Sequence, residues 1–144
     1  MTVDMRSFLQ QIKKTNDLFT VKKKVSTKYE IAAVTEKLDG SKAVLFENVQ
    51  GSKFKLVSNL VGSRDRFAQA IGSKKSDINQ KIVKAISSAK KPKISTTAKF
   101  FENSSNDISI LPIVTHFQNE SGPFITSSIL YTKNLETKSQ NSSF

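Results

Sequence analysis

Few side chains in this 144-residue sequence could carry catalytic chemistry, and each has an ordinary structural alternative. His116 could act as a general base near neutral pH, but without an acidic neighbour in sequence it is expected to occupy a strand end. The segment Arg64–Arg66 resembles an anion clamp, although in the first turn of a helix it is more typical of surface and capping residues. Glu47 and Asn48 could bind a metal ion. Their position before a turn at Gln50–Gly51 favours a simple strand end.

The residue inventory excludes several kinds of site. With no cysteine and one histidine, the sequence cannot form disulfides, thiolate or multi-histidine metal sites, or a cysteine nucleophile. No apolar run approaches the length needed to span a membrane, and Asp4 interrupts any signal-peptide layout at the N-terminus. We therefore expect a cytoplasmic protein without a membrane span.

The strong positive charge raises the possibility of a polyanionic partner. Lysine and arginine number 23 against 12 acidic residues, a formal net charge of +11. The basic residues are scattered in short runs, and the excess of lysine over arginine disfavours specific phosphate or base recognition. Phe100 and Phe101 could stack on bases, but adjacent residues of a strand point to opposite faces. Nucleic acid is therefore not the expected partner, and a basic polyanion-binding module is kept as an alternative function.

The elements that would position these residues alternate between helix and strand, without a glycine-rich phosphate loop. Asp4 is predicted to cap the first helix, and Thr27 with Glu30 has the pattern of a capping box for the second. Ser63 and Ser76 are predicted to begin two further helices. The predicted strands are Leu18–Lys22, Ala43–Asn48 and Phe54–Ser58, and a strand-like run covers Thr97–Glu102.

The C-terminal part is rich in residues that favour strands. Ile108–Val114 and Phe124–Tyr131 are predicted strands, joined by a polar turn at Gln118–Pro123. A hairpin-like turn follows at Thr132–Thr137. The remaining tail, Lys138–Phe144, is expected to be too short to complete a new element.

Several sequence blocks, taken together and in order, resemble the N-terminal part of the UbiD family of reversible decarboxylases. The resemblance covers nearly the whole chain and only the first third or less of a family member. The polar connector at 103–107 is then predicted to separate two domains, residues 1–105 and 106–144. The matching blocks are Arg6–Leu9, Tyr29–Ala32, Ala43–Gly51, Val57–Arg66, Leu111–His116 and Gly122–Thr126.

The resemblance implies an α+β fold, with a small N-terminal α+β domain followed by the first strands of a split β-barrel like that of flavin reductases. It implies prenylated FMN, Mn²⁺ and K⁺ as cofactors and the removal of CO₂ from an unsaturated or aromatic carboxylic acid. Polyprenyl-hydroxybenzoate in quinone synthesis and anhydromevalonate phosphate in isoprenoid synthesis both fit. A homo-oligomer is implied for the full-length protein.

Residue by residue, the resemblance assigns little of the family's machinery to this chain. Asn141 resembles the asparagine that ligates manganese, although without the family it is simply a polar residue in a serine-rich tail. Ser143, Phe144 and Thr126 resemble residues that contact the cofactor. The catalytic arginine and two glutamates have no counterparts here, and the metal motif's own arginine would fall two residues beyond Phe144. We therefore expect a fragment or split subunit that is inactive alone; a non-catalytic subunit is the other alternative.

Overall fold

The structure, a computed structural model, describes residues 4–91, 96–97 and 102–143. It contains helices together with a mixed three-stranded sheet and a separate two-stranded sheet, which confirms the predicted α+β class. Short 3₁₀ turns lie at Lys75–Asp77 and Ile108–Ile110. The elements are α1 (Met5–Lys14), β1 (Leu18–Val21), α2 (Glu30–Lys37), β2 (Ala43–Phe46), β3 (Leu56–Ser58), α3 (Arg64–Ala70), α4 (Ile78–Ser87), β4 (Leu130–Lys133) and β5 (Gln140–Ser143).

The central strand β2 is covered on both faces. It pairs in parallel with β1 and antiparallel with β3, so the sheet order is β1-β2-β3. Because successive side chains of a strand alternate between faces, Val44 and Phe46 pack with Ile31 of α2. Ala43 lies on the opposite face, in a second cluster with Phe8 of α1. One short apolar strand thus packs against α2 on one face and α1 on the other.

Side-chain capping confirms two predicted helix starts. The Asp4 carboxylate accepts hydrogen bonds from the backbone amides of Ser7 and Arg6, and these bonds hold the pKa of Asp4 below its ordinary value. Ser63 accepts from the amide of Arg66 at the start of α3.

Two predicted caps are wrong. Glu30 does reach back to a backbone amide, but that amide belongs to Ser26 rather than Thr27. α2 begins at Glu30, and its N-cap position is Tyr29, which has a positive φ of 70° and no side-chain cap, so Thr27 lies two residues before that position. Ser76 does not cap α4, because its hydroxyl bonds to the Asp77 carboxylate instead.

The predicted strand Ile108–Val114 is wrong over most of its length. Asp107 accepts from the amide of Ser109, and the amide of Leu111 bonds to Ile108, so local bonds replace a sheet ladder. Pro112 has no amide to donate. Only an isolated antiparallel bridge between Val114 and Phe124 is formed.

The regular hairpin lies further along the chain than predicted. β4 and β5 pair antiparallel around a turn at 134–139, which agrees with the hairpin-like turn predicted at Thr132–Thr137. The expectation that the tail is too short for a new element is wrong, because Gln140–Ser143 forms β5. The strand-like run Thr97–Glu102 lies largely outside the described residues, and so do Phe100 and Phe101.

A segment of the C-terminal half is tied to the first sheet. Thr115 donates its amide to the Thr27 carbonyl at 3.1 Å and accepts from the Tyr29 amide at 3.1 Å. Val114 is buried in the same cluster as Phe46. This docking places residues 111–116 beside the sheet.

The two-sided burial of β2 makes its aromatic residue a sensitive position. Phe46 is 0% exposed, and Phe46→Ala should lower the free energy of unfolding by about 3–5 kcal/mol. Phe19 on β1 is 46% exposed, so Phe19→Ala is the matched control and should cost less than half as much. Urea unfolding followed by circular dichroism measures both; equal losses would contradict the assigned core.

Candidate functional site

An apolar cavity lies between the first sheet and the segment that follows residue 110. It has a volume of about 560 Å³, and three of the sequence blocks that resemble the UbiD family supply most of its walls. Its lining is mostly aliphatic and aromatic, with a few polar side chains, as is common for small-molecule sites. The wall residues include 56–62 on one side and 111–114, His116 and 124–127 on the other.

One wall is fixed by a polar junction centred on Asn59. Asn59 adopts a positive φ of 52°, and its side-chain amide donates to the Thr35 carbonyl at 2.7 Å. The Thr35 hydroxyl lies 2.9 Å from the hydroxyl of Ser58. These bonds join the end of α2 to the end of β3, so the residues that follow β3 are held against the cavity.

Arg66 completes this junction instead of binding an external anion. Its side chain is buried, and its guanidinium donates to the carbonyls of Ser41 at 2.7 Å and Asn59 at 3.3 Å. Asp65 forms an exposed ion pair with Lys75. Both the anion clamp and the expected surface position of Arg66 are therefore wrong, because the guanidinium is used inside the fold.

The opposite wall depends on the docked segment. Phe124 donates its backbone amide to the Val114 carbonyl at 3.0 Å, which turns the chain back so that the residues after Phe124 face the cavity. Ser52 bonds to the carbonyl of Ile110 at 3.0 Å and fixes the segment's entry. The strand pattern in the sequence indicated these residues but not the bend between them.

His116 lines the cavity, but its ring has no acidic partner among the described contacts. The Glu120 carboxylate, four residues later, accepts from the backbone amide of His116 at 2.8 Å. The expectation that no acidic residue lies nearby in sequence is therefore corrected, although Glu120 orders the loop and does not contact the imidazole. The imidazole instead lies 6.4 Å from the ring of Phe117.

The predicted cofactor and metal residues occupy two places. Thr126 is a wall residue of the cavity. Asn141 and Ser143 lie on β5 and are exposed; they are not among the residues lining the cavity. Antiparallel pairing sets Asn141 opposite Thr132, and the two-residue spacing places Asn141 and Ser143 on the same face of the hairpin. Phe144 lies outside the described residues.

The residues present fit a hard metal ion and a flavin only in part. An exposed amide oxygen is a suitable ligand for Mn²⁺, but such an ion takes about six ligands and the described residues contain no cluster of three acidic or histidine side chains. Glu47, the other candidate metal ligand, pairs with Lys55 at 3.3 Å, as expected for a strand end. Asn141 can therefore supply one ligand to a site completed by other groups.

Two family models match the chain in sequence. Residues 9–86 match the N-terminal domain of 3-octaprenyl-4-hydroxybenzoate carboxy-lyase, and residues 87–144 match the Rift-related domain of the same family. The chain therefore belongs to the UbiD family. Comparison with curated protein sequences gives no significant match.

Solved structures of UbiD-class enzymes share the fold. The FMN complex of HmfF from Pelotomaculum thermopropionicum is 28% identical with a TM-score of 0.85, over 96% of this chain and 32% of that one. An evolved dimeric form of HmfF with prenylated FMN is 26% identical with a TM-score of 0.78, over 96% of this chain and 34% of that one. The closed form of vanillic acid decarboxylase from Sedimentibacter hydroxybenzoicus is 26% identical with a TM-score of 0.79, over 92% of this chain and 31% of that one. The chain thus spans about a third of each.

These matches support the predicted fold class, including the start of a second domain. Among the residues that the structure describes, no helix is long and apolar enough to cross a membrane. The cavity walls were the part of the site that sequence reasoning missed. The signal was available, because the blocks Val57–Arg66, Leu111–His116 and Gly122–Thr126 contribute the walls.

The buried role of Arg66 can be tested by a conservative change. A lysine ammonium cannot replace the planar guanidinium that donates to two separate carbonyls. Arg66→Lys should therefore lower the free energy of unfolding by about 1–3 kcal/mol. Arg64, exposed in the first turn of the same helix, is the matched control, and Arg64→Lys should stay within about 0.5 kcal/mol.

Chemical denaturation reports both changes. If Arg66→Lys left the free energy of unfolding unchanged but lowered the affinity for an anion such as phosphate, the result would favour anion binding by Arg66. It would contradict the structural role assigned to Arg66 at the junction.

Proposed function

We propose that this chain is the N-terminal portion of a UbiD-like decarboxylase that removes CO₂ from an unsaturated or aromatic acid with prenylated FMN. The observation that carries the proposal is the convergence of three family blocks on one cavity that includes Thr126. The sequence matches to both family domains and the solved complexes with FMN and prenylated FMN support it.

The chain's own residues have limited roles in this proposal. Asn141 would offer its amide oxygen to Mn²⁺, while Ser143, Phe144 and Thr126 would contact the flavin. When bound, prenylated FMN supplies an electron-accepting ring that stabilises the charge left as CO₂ departs. Residues 1–105 would form the supporting domain and 106–144 the opening of the cofactor domain. K⁺, the remaining Mn²⁺ ligands and the groups that move the proton would come from other parts of the protein.

Two observations support the proposed substrate class, the names of the relatives and the lining of the cavity. The family description names an octaprenyl-hydroxybenzoate, and one solved relative is a vanillic acid decarboxylase; both substrates are aromatic acids. The apolar cavity lining suits such a substrate better than a phosphorylated acid, so we favour a polyprenyl-hydroxybenzoate type over anhydromevalonate phosphate. We further propose a cytoplasmic homo-oligomer; one of the solved relatives is described as a dimeric form.

The metal role of Asn141 gives the sharpest test. The complete reading frame containing these residues should be expressed with prenylated FMN, and its manganese content and CO₂ release measured. Asn141→Ala should lower manganese affinity by more than about tenfold and reduce turnover with it. Gln140→Ala is the matched control, since Gln140 pairs with Lys133 on the opposite face of the hairpin.

Equal manganese content in the two variants would contradict the assignment of Asn141. Absence of CO₂ release from aromatic and unsaturated acids, despite bound prenylated FMN, would contradict the enzyme proposal itself. Co-purification with a second, complete chain would then favour a non-catalytic subunit. A basic polyanion-binding module would instead show RNA affinity that falls steeply as salt is raised.

A further inference from the structure

Tyr29, just before α2, has a backbone conformation that residues with side chains disfavour. Its φ is 70° and its ψ is −34°, and the amide of Glu30 donates to the carbonyl of Lys28 at 2.9 Å, which closes a strained γ-turn around Tyr29. Glycine adopts a positive φ freely, and asparagine does so more readily than most residues. Elsewhere in the described residues 4–91, the positive φ values fall on these two types, at Asn16, Gly40, Gly51, Asn59 and Gly72.

The bonds around Tyr29 show what holds this conformation. Its ring is exposed and lies 5.5 Å from the ammonium of the exposed Lys28, so it contributes little. The backbone amide of Tyr29, however, donates to the carbonyl of Thr115, and the amide of Thr115 donates to the carbonyl of Thr27. The docked segment, residues 111–116, is therefore paired with the chain immediately before the strained torsion.

The strain at Tyr29 follows from two attachments to one core. Rotation about its N–Cα bond would move α2 relative to the preceding residues, which are bonded to Thr115. Ile31 of α2 and Val114 of the docked segment are buried in the same cluster, and both line the cavity. With both side chains in place, the φ of Tyr29 cannot relax to a negative value.

We propose that Tyr29 is a strained hinge that lets the docked segment open and close the cavity. When Val114 leaves the core, the bonds of Thr115 are lost and the φ of Tyr29 relaxes, so the release of strain favours the open state. Opening removes the wall formed by residues 111–114 and His116, and a ligand can then enter. Tyrosine thus gives a larger open population than glycine would at this position. The proposal concerns access to the cavity and does not depend on the proposed function.

The absence of cysteine from the sequence allows a direct measurement of opening. Val114→Cys places a single thiol on the buried side of the docked segment, and Val44→Cys places one in β2, at a 0% exposed position. The thiol at position 114 should react with dithionitrobenzoate at least about tenfold faster than the thiol at position 44. Local opening exposes the first, whereas the second requires the sheet to unfold.

A second pair of variants isolates the strain. Tyr29→Ala removes the ring but keeps Cβ and with it the strain, whereas Tyr29→Gly removes both. Combined with Val114→Cys, the glycine variant should react about threefold more slowly than the alanine variant, or slower still, even though glycine gains freedom in the open state. Glu36 is exposed within α2 and is the matched control, because Glu36→Gly should react no more slowly than Glu36→Ala. Circular dichroism establishes that each variant keeps its fold.

Amide hydrogen exchange tests the opening without an introduced thiol. In the unsubstituted chain, the amides of Tyr29 and Thr115 should have equal protection. It should be lower than that of the Glu47 amide, which bonds to the Val21 carbonyl in the sheet. In the complete reading frame, residues 111–116 should exchange more slowly with Tyr29→Gly than with Tyr29→Ala.

Three outcomes would overturn the proposal. Equal reactivity of the thiols at positions 114 and 44, or equal protection of the Thr115 and Glu47 amides, would mean that the docked segment opens only with the sheet. Equal reactivity of the two variants at position 29, or the same slowing by glycine at position 36, would mean that strain at Tyr29 does not affect opening. Equal exchange of residues 111–116 in the two full-length variants would mean that other parts of the protein hold the segment closed.

Discussion

The pairing of Thr115 with Thr27 and Tyr29 is the constraint on which the candidate site depends. Two backbone hydrogen bonds of 3.1 Å attach the segment after residue 110 to the loop before α2. They are protected because the preceding Val114 is buried in the sheet's core. Without this attachment the cavity would have only the wall that follows β3. The site is therefore built by contacts between residues separated by almost ninety positions, and the sheet serves mainly as the surface on which they meet.

The junction of Asn59 and Arg66 explains why a charge-rich block belongs to the framework. Asn59 takes a left-handed backbone conformation that its short polar side chain tolerates, and it then bonds to the end of α2. The guanidinium of Arg66, on α3, donates to the backbone carbonyl of the same Asn59. The carbonyls of Ser41 and Asn59 replace part of the hydration that the buried guanidinium loses, while its Nε–H has no partner among the described residues. The block that looked like an anion clamp is thus an internal connection that shapes one cavity wall.

The sequence predicted the fold best where local periodicity and burial agree. The helices and the strands around β2 follow from regular apolar spacing, and the caps at Asp4 and Ser63 follow from local side-chain chemistry. The prediction of a strand at Ile108–Val114 was wrong because composition alone cannot reveal that Asp107 and Pro112 favour a local turn. The start of α2 at Glu30, after Tyr29 with its positive φ, was not indicated by the residue pattern, which placed the cap at Thr27. The blocks indicated which segments matter, but their meeting at one cavity required the fold.

The hairpin that carries Asn141 and Ser143 contrasts with the rest of the chain. Every described residue of β4 and β5 is exposed, whereas the buried residues among those described lie between Phe8 and Ile78 and at Val114. A two-stranded hairpin is marginally stable by itself, so another surface must hold its residues in a fixed geometry. A metal ligand needs such a fixed geometry, because an ion tolerates only small displacements of its oxygens. The cavity at Thr126 is therefore organised within this chain, while the proposed metal ligand Asn141 would acquire a fixed geometry only when β4 and β5 are packed.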